Sequence, residues 1–317
     1  MNKIAIVTGC QGQDGSYLCE FLLEKKYKVF GVSRRCSSRE NDFIKNFADH
    51  ENFTLINLDI TDASGINNLI SSVRPDEYYN LAASSHVGQS FKEPTVSLKN
   101  NGEAVAIALE AIVNSSPLTK FYQASTSELF GNSPGPQSES TNFDPRSPYA
   151  AAKLYAHKMV GLYREAYGIH ASCGILFNHE SPRRGLDFVT RKITRGISNF
   201  IKNGQKFTLG NLEAKRDWGH AKDYVKAMWI MLQQDHPDDY VIGTGETASI
   251  KEALDFVISV SGISETPYVI DDKMKRPAEV NLLCANPEKA NKKLGWKASL
   301  NWKDVLYEMY LSDTKDI

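Results

Sequence analysis

The chain predicts an α/β fold, a doubly wound parallel sheet with a smaller, discontinuous C-terminal substrate domain. Three observations carry that reading. Short apolar runs alternate with longer amphipathic stretches from the N-terminus to about residue 177, the rhythm that strand–helix–strand crossovers impose. The first run, 3–7, passes directly into Thr8-Gly9-Cys10-Gln11-Gly12-Gln13-Asp14-Gly15 and then into the helical pattern Tyr17, Leu18, Phe21, Leu22. From Asn178 the texture turns polar and basic, in NHESPRRGLDFVTRKITRG, before apolar segments resume.

Taken in order, the first strand, turn and helix form a nucleotide-binding unit. Glycines at 9, 12 and 15 let the backbone turn tightly and approach a pyrophosphate at the positive end of the helix, so Gly9, Gly12, Gln13, Asp14 and Gly15 are candidate cofactor ligands. Their spacing is G-x-x-G-x-x-G rather than G-x-G-x-x-G; the strand before and the helix after favour a cofactor loop over a plain turn. A second strand, 28–33, ends in Arg34-Arg35, where an NAD site would carry an acid for the ribose 2′-hydroxyl. Two guanidinium groups suit a 2′-phosphate instead, which predicts NADP. A third strand, 53–58, leads to Asp59-Ile60, with Asp59 placed to meet the adenine. After the break at Arg74-Pro75-Asp76, a strand over 77–81 runs into Ala82-Ala83-Ser84-Ser85, small residues that a cofactor can pass closely. A helix over about 95–114, apolar at Val105, Leu109, Ile112 and Val113, precedes a strand at 121–125.

Reactive side chains of an open α/β sheet collect beyond the carboxyl ends of its strands. The 121–125 strand is followed there by Thr126-Ser127-Glu128, then by a Pro/Gly/Ser-rich loop and Arg146-Ser147-Pro148-Tyr149-Ala150-Ala151-Ala152-Lys153. Ser147 and Pro148 suit a helix start, so Tyr149 and Lys153 share a helical face. An ammonium beside a phenol favours its ionised form, which makes the pair a base near neutral pH. Tyr-x-x-x-Lys by itself is common in helices where the tyrosine packs and the lysine is solvated; the glycine loop and the hydroxyls at 126–127 are what give it weight. The helix runs on to about 167, a strand covers 169–177, and His157 and His170 occupy ordinary structural positions. Beyond 178, the helix 221–234 and strand 240–243 are expected to return to the sheet. The division is then 1–177 plus about 219–247 for the cofactor and about 178–218 plus 248–317 for the substrate.

Composition narrows the function classes. Lys+Arg at 37 against Asp+Glu at 38 gives a net charge of −1, so no global field draws the protein to nucleic acid or membrane, and an anionic ligand must be met by a local cluster. The five cysteines, at 10, 19, 36, 173 and 284, show no metal-ligand or disulfide spacing, which predicts reduced thiols, no metal site and a cytoplasmic location. No run approaches the roughly 18 apolar residues of a membrane span.

The blocks TGCQGQDGSYL, PDEYYNLAASSHV, FYQASTSELFG, RSPYAAAKLYA, GILFNHESPRRG, FVTRKITR, RDWGHAKDY and RPAEV together resemble the extended short-chain dehydrogenase/reductase (SDR) family of nucleotide-sugar enzymes, over nearly the whole chain. They are most similar to its branch that dehydrates GDP-linked sugars. The resemblance implies a Rossmann-type fold and a hydro-lyase that takes GDP-mannose, or a related GDP-sugar, to its 4-keto-6-deoxy product by moving hydride from C4 to C6 through tightly held NADP. It implies Tyr149, Lys153 and Thr126 at the C4 hydroxyl and Glu128 at C5 and C6. For the cofactor it adds Leu81, Ala82, Ala83, Ser85, His179 and Arg184. For the substrate it names Ser85, Asn178, Val189, Lys192, Arg216, Arg276 and Glu279, whereas Arg183, Arg191 and Arg195 read as solvated helix charges. The chain is shorter than the family pattern in the loop 36–53 and between 261 and 271, and Val96 stands where the pattern carries a tyrosine. A homo-oligomer is implied, with dimer and tetramer both open. The rival readings are an NADP-dependent reductase or 4-epimerase on the same scaffold, and a non-catalytic NADP-binding regulator.

Overall fold

The computed structural model describes residues 2–34, 42–274 and 277–315. Its strands are β1 (Ile4–Thr8), β2 (Lys28–Ser33), β3 (Phe53–Asn57), β4 (Glu77–Asn80), β5 (Lys120–Thr126), β6 (Ala171–Leu176), β7 (Asn178–Glu180), β8 (Phe207–Leu209), β9 (Lys215–Arg216), β10 (Trp218–His220), β11 (Tyr240–Ile242), β12 (Ala248–Ser249) and β13 (Tyr268–Ile270). Seven of them form a parallel sheet in the order β11-β6-β5-β4-β1-β2-β3. The order reverses direction on either side of β1, the arrangement of a doubly wound sheet. The remaining strands pair in twos, β7 with β10, β8 with β13 and β9 with β12.

The helices are α1 (Gln13–Glu24), α2 (Ala63–Val73), α3 (Val87–Ser90), α4 (Pro94–Leu98), α5 (Ala104–Ser115), α6 (Pro148–Tyr167), α7 (Val189–Asn203), α8 (Ala221–Gln233), α9 (Ile250–Ser261), α10 (Glu288–Leu294) and α11 (Trp302–Thr314). Alternation along the strands decides which face each helix covers. In β1, Ala5 and Val7 join a core with Leu18 and Leu22 of α1 and Val225 and Met228 of α8. Ile6, between them, points the other way, to Ile66 and Ile70 of α2, Leu109 and Ile112 of α5 and Val160 of α6. Each fully buried Leu, Ile or Val contributes roughly 1.5–3 kcal/mol, so both faces hold the sheet firmly. A separate core joins Ile193 and Ile197 of α7 to Leu254 and Val257 of α9 and Leu306 and Met309 of α11.

The start of α6 follows its sequence cues. Ser147 Oγ accepts a hydrogen bond from Ala150 N at 3.1 Å, with Pro148 in the first turn. The helix expected over 95–114 is instead α4 and α5 joined by a π-helical turn, Lys99–Glu103, which the sequence pattern did not reveal.

Candidate active site

The carboxyl ends of β1, β4, β5 and β6 open onto one cavity of about 900 Å³. Gly9, at φ 71°, lets the first turn pass the strand end beside it, because a Cβ there would stand 2.9 Å from the Ala82 main chain. At Gly15 a Cβ would collide with the Gly9 carbonyl, so α1 begins hard against the turn. Gly12 caps α1 with no side chain, and the first-turn N–H groups remain available to a phosphate lining the same cavity. Thr8 Oγ1 accepts from Leu81 N and Ala82 N, both at 3.1 Å, tying the β4 end to the glycine turn. These features fit the pyrophosphate of a dinucleotide.

Around that cradle, Asp14 Oδ2 lies 2.7 Å from His179 Nε2, while His179 Nδ1 lies 2.7 Å from Phe177 O. Burial works against charge on both groups, but their mutual attraction wins: the Asp14 carboxyl is held below its ordinary range and the His179 imidazole above its own. Gln13 extends the link, with Nε2 donating to His179 O and Oε1 accepting from Ser181 Oγ. Arg184 pairs with Glu180 at 3.0 Å and lies over the Phe188 ring at 3.6 Å. Arg34 reaches the cavity and sits 3.6 Å from Asp59 Oδ2. Asp59 Oδ1 accepts from Thr61 N and Oγ1, so its carboxylate closes a turn and meets Arg34, and it is Ile60 and Leu58 that line the cavity.

Thr126, Glu128, Tyr149 and Lys153 all line the cavity. Thr126 Oγ1 accepts from Glu128 N at 3.2 Å, and its hydroxyl stands on the side of the Tyr149 phenol where it favours the ionised form. The expected ionisation of Tyr149 is corrected here. Burial pushes its phenol up to about 12, with Glu128 adding to the rise and Thr126 opposing it. Lys153, only 3% exposed, is itself pushed down to about 8 by burial. Its ammonium donates to Ala124 O at 2.9 Å and stands 6.0 Å from the Tyr149 ring. The dry wall that assembles the pair therefore opposes the phenolate more than the lysine favours it.

Of the substrate candidates, Ser85, Asn178, Val189, Lys192, Arg216 and Glu279 line the cavity, as do Leu81, Ala82 and Ala83. Arg216 is 6% exposed, with Nη2 at 3.6 Å from Glu279 Oε1. Arg35, Cys36, Arg276 and part of the shortened 36–53 loop lie outside the described residues. Two of the supposed solvated arginines are structural ion pairs. Arg183 meets Glu20 at 2.7 Å over the Tyr17 ring, and Arg191 meets the buried Asp313 at 2.8 Å; Arg195 stays half exposed, 3.6 Å from Asp313. The partners are distant in sequence, so the local charge pattern concealed them.

Sequence reading missed His86, Asn100, Asp187 and the segment 208–211, which also line the cavity. Asn101, in the π turn, brackets the Ser84 backbone, accepting from its N–H at 2.8 Å and donating to its carbonyl at 3.1 Å, while Asn100 Nδ2 donates to Ser84 Oγ. Two adjacent asparagines inside a helical pattern were the available signal, since π turns gather at functional sites.

A family model described as GDP-mannose 4,6 dehydratase matches residues 6–309. The chain is 44% identical to a GDP-mannose 4,6-dehydratase of Vibrio cholerae, over 99% of this chain and 95% of that one. Against GDP-mannose 4,6 dehydratase 2 of Arabidopsis thaliana it is 48% identical, covering 98% and 87%; against the human GDP-mannose 4,6 dehydratase it is 45% identical, covering 99% and 92%. Among solved structures, UDP-glucose 4-epimerase of Thermotoga maritima superposes with a TM-score of 0.88 at 23% identity, over 99% of this chain and 100% of that one. The dTDP-glucose 4,6-dehydratase of Bacillus anthracis gives 0.86 at 22%, over 99% and 97%. At those identities the two structures speak to the fold alone, a doubly wound parallel sheet of Rossmann type.

Proposed function

The chain belongs to the GDP-mannose 4,6-dehydratase family, and from that premise we infer that it converts GDP-mannose, or a closely related GDP-sugar, to the 4-keto-6-deoxy sugar with loss of water. The observation that carries the assignment of roles is the meeting of Thr126, Glu128, Tyr149 and Lys153 with the glycine turn in one cavity. The glycine turn of Gly9, Gly12 and Gly15 and the ends of β4 and β5 would hold a nicotinamide dinucleotide, which would supply the transient removal of hydride from C4 and its delivery to C6. Tyr149, beside the Thr126 hydroxyl, would remove the C4 hydroxyl proton once the positive charge of an oxidised nicotinamide offsets the burial of its phenol. With C4 a ketone, the C5 proton is acidic, and Glu128 takes it and passes it to the C6 hydroxyl, which leaves as water. Atoms balance when the proton gained by Tyr149 is the one finally returned to C5. Net, C4 is oxidised, C6 is reduced and one water is lost.

Purified protein incubated with GDP-mannose without added reductant is expected to yield a product lighter by one water. Conversion that consumes NADPH stoichiometrically, or inversion at C4 without loss of water, would overturn this reading in favour of a reductase or an epimerase.

The family uses a nicotinamide dinucleotide, and Arg34 supports NADP over NAD for this chain. Arg34→Ala is expected to weaken NADP binding roughly ten- to hundredfold, the worth of a charge-assisted hydrogen bond, with NAD binding nearly unchanged. Equal losses for both cofactors in a fluorescence titration would refute the choice. Arg216, with Glu279 beside it, is the local cation for the diphosphate.

No described helix is long and apolar enough to cross a membrane, and the free thiols Cys10, Cys19, Cys173 and Cys284 support a reducing compartment such as the cytoplasm. The return of α8 and β11 to the main sheet supports the division at 1–177 plus about 219–247 and about 178–218 plus 248–317. A homo-oligomer is supported by exposed apolar side chains on neighbouring helices: Leu98 at 52% on α4, and Tyr155 at 44% and Leu162 at 57% on one stripe of α6. Such a stripe is costly to leave in water. Leu162→Glu is expected to shift the assembly toward monomer in light scattering, and an unchanged mass would exclude this face.

A further inference from the structure

We propose that Gln123 is a positioning residue for Lys153: its amide fixes the Ala124 carbonyl on which the lysine's ammonium rests, and Asn80 and Thr8 fix the direction in which that amide faces. This rests on the part given to Lys153 beside Tyr149 in the reading above, and not on which sugar is bound. Neither Gln123 nor Asn80 lines the cavity.

Side chains two apart on a strand share a face of the sheet. On the face covered by α5 and α6, Ile6 of β1, Tyr78 of β4 and Phe121 of β5 belong to one apolar core. The next residue on that face is polar in all three strands: Thr8, Asn80 and Gln123, exposed by 0%, 3% and 0%. Burying three polar side chains in a row is costly unless each finds partners, and each does. Thr8 Oγ1 accepts from Leu81 N and Ala82 N, so its own proton goes outward, to Asn80 Oδ1 at 3.0 Å. With that oxygen engaged, Asn80 Nδ2 donates to Gln123 Oε1 at 2.8 Å. Gln123 Nε2 is thereby turned to Ala124 O, at 2.9 Å. The same oxygen accepts from Lys153 Nζ, also at 2.9 Å.

The row begins at main-chain N–H groups beside the glycine turn and ends at the ammonium, and no amide along it can flip without setting donor against donor. A carbonyl oxygen has two lone pairs. Gln123 fills one and Lys153 the other, which leaves two of the three ammonium protons for the cavity that Lys153 lines. The lysine stem is long and flexible, and without Gln123 the ammonium would have both lone pairs of Ala124 O and a looser seat. The titratable groups facing Lys153 are Tyr149 on its own helix, Asp14 of α1 and Cys173 of β6. Among the described residues, Ala124 O alone hydrogen-bonds the ammonium.

The test compares wild type, Gln123→Met, Gln123→Glu and the double variant Asn80→Leu with Gln123→Met. At saturating GDP-mannose, Gln123→Met should lower kcat roughly ten- to hundredfold, the scale on which small misplacements cost rate, with KM within about twofold. The double variant removes both partners of one hydrogen bond, and Thr8 still reaches Tyr79 O at 3.4 Å. Thermal stability lost in Gln123→Met should therefore return in it, whereas kcat should stay low; a purely structural glutamine would see both restored. Gln123→Glu keeps the acceptor for Asn80 and sets a carboxylate beside the ammonium. In the cofactor-free full chain, carbon NMR of the lysine side chains should show the Lys153 midpoint, identified by its loss in Lys153→Met, rise from about 8 by roughly one pH unit or more. A wild-type kcat in Gln123→Met, recovery of kcat in the double variant, or an unmoved Lys153 midpoint overturns the proposal. A raised midpoint in a protein that oxidises GDP-mannose at C4 without releasing water would uphold the positioning and reject the dehydratase reading alone.

Discussion

Glu128→Gln is expected to stop the reaction halfway: the sugar is oxidised at C4, its mass falls by two hydrogens, and no water leaves. Tyr149, Lys153 and Thr126 are untouched by this change, and glutamine preserves the shape of the side chain while removing its capacity to take a proton. Loss of a positioned acid–base group costs roughly 10²–10⁴ in rate, so net dehydration should fall by that factor while the first half-reaction, followed by mass in a single turnover, persists. Ketone reduction and C4 epimerisation need no base at C5. Full dehydration by the glutamine enzyme would remove Glu128 from the mechanism, and unimpaired C4 inversion would place the chain with the epimerases.

Lys153→Met should separate activity from stability. Turnover should fall by roughly 10²–10⁴, since an ammonium beside the phenol is lost from a site where burial already holds Tyr149 near about 12. The cofactor-free protein should nevertheless become more stable at neutral pH. The fall from the ordinary 10.5 to about 8 means that folding disfavours the charged lysine. That penalty is present in full below pH 8 and fades as the pH rises toward 10.5, where the unfolded chain also loses the proton. Allowing for the lost bond to Ala124 O, the variant should gain about 1–3 kcal/mol at pH 7 and nothing near pH 10.5. Chemical unfolding of wild type and variant across that range checks the sign, and a variant less stable at pH 7 would refute it.

The parallel sheet, its crossover helices and the glycine turn were legible because strands buried on both faces write continuous apolar runs, and the βα turn writes its glycines locally. Thr126, Glu128, Tyr149 and Lys153 were legible as a group because the end of one strand and the next helix bring them together. What escaped was set by the third dimension. The ionisation of Tyr149 depends on how dry its surroundings are, which no spacing records. Arg191 finds its acid at Asp313, far along the chain, and looked solvated for that reason. The short strand pairs β7–β10, β8–β13 and β9–β12 are too brief to show a period.

The wide turn at Lys99–Glu103 amounts to one residue more than a regular helix would hold. Deleting a single residue there would let α4 and α5 fuse into an unbroken α-helix with the apolar stripe of α5 still on the sheet, because the widened turn is what absorbs the extra residue. What would be lost is the bulge itself, and with it the hold of Asn100 and Asn101 on Ser84. The packing of the helix would survive such a deletion, and the segment between Ala83 and Ser85 at the cavity wall would not keep its shape.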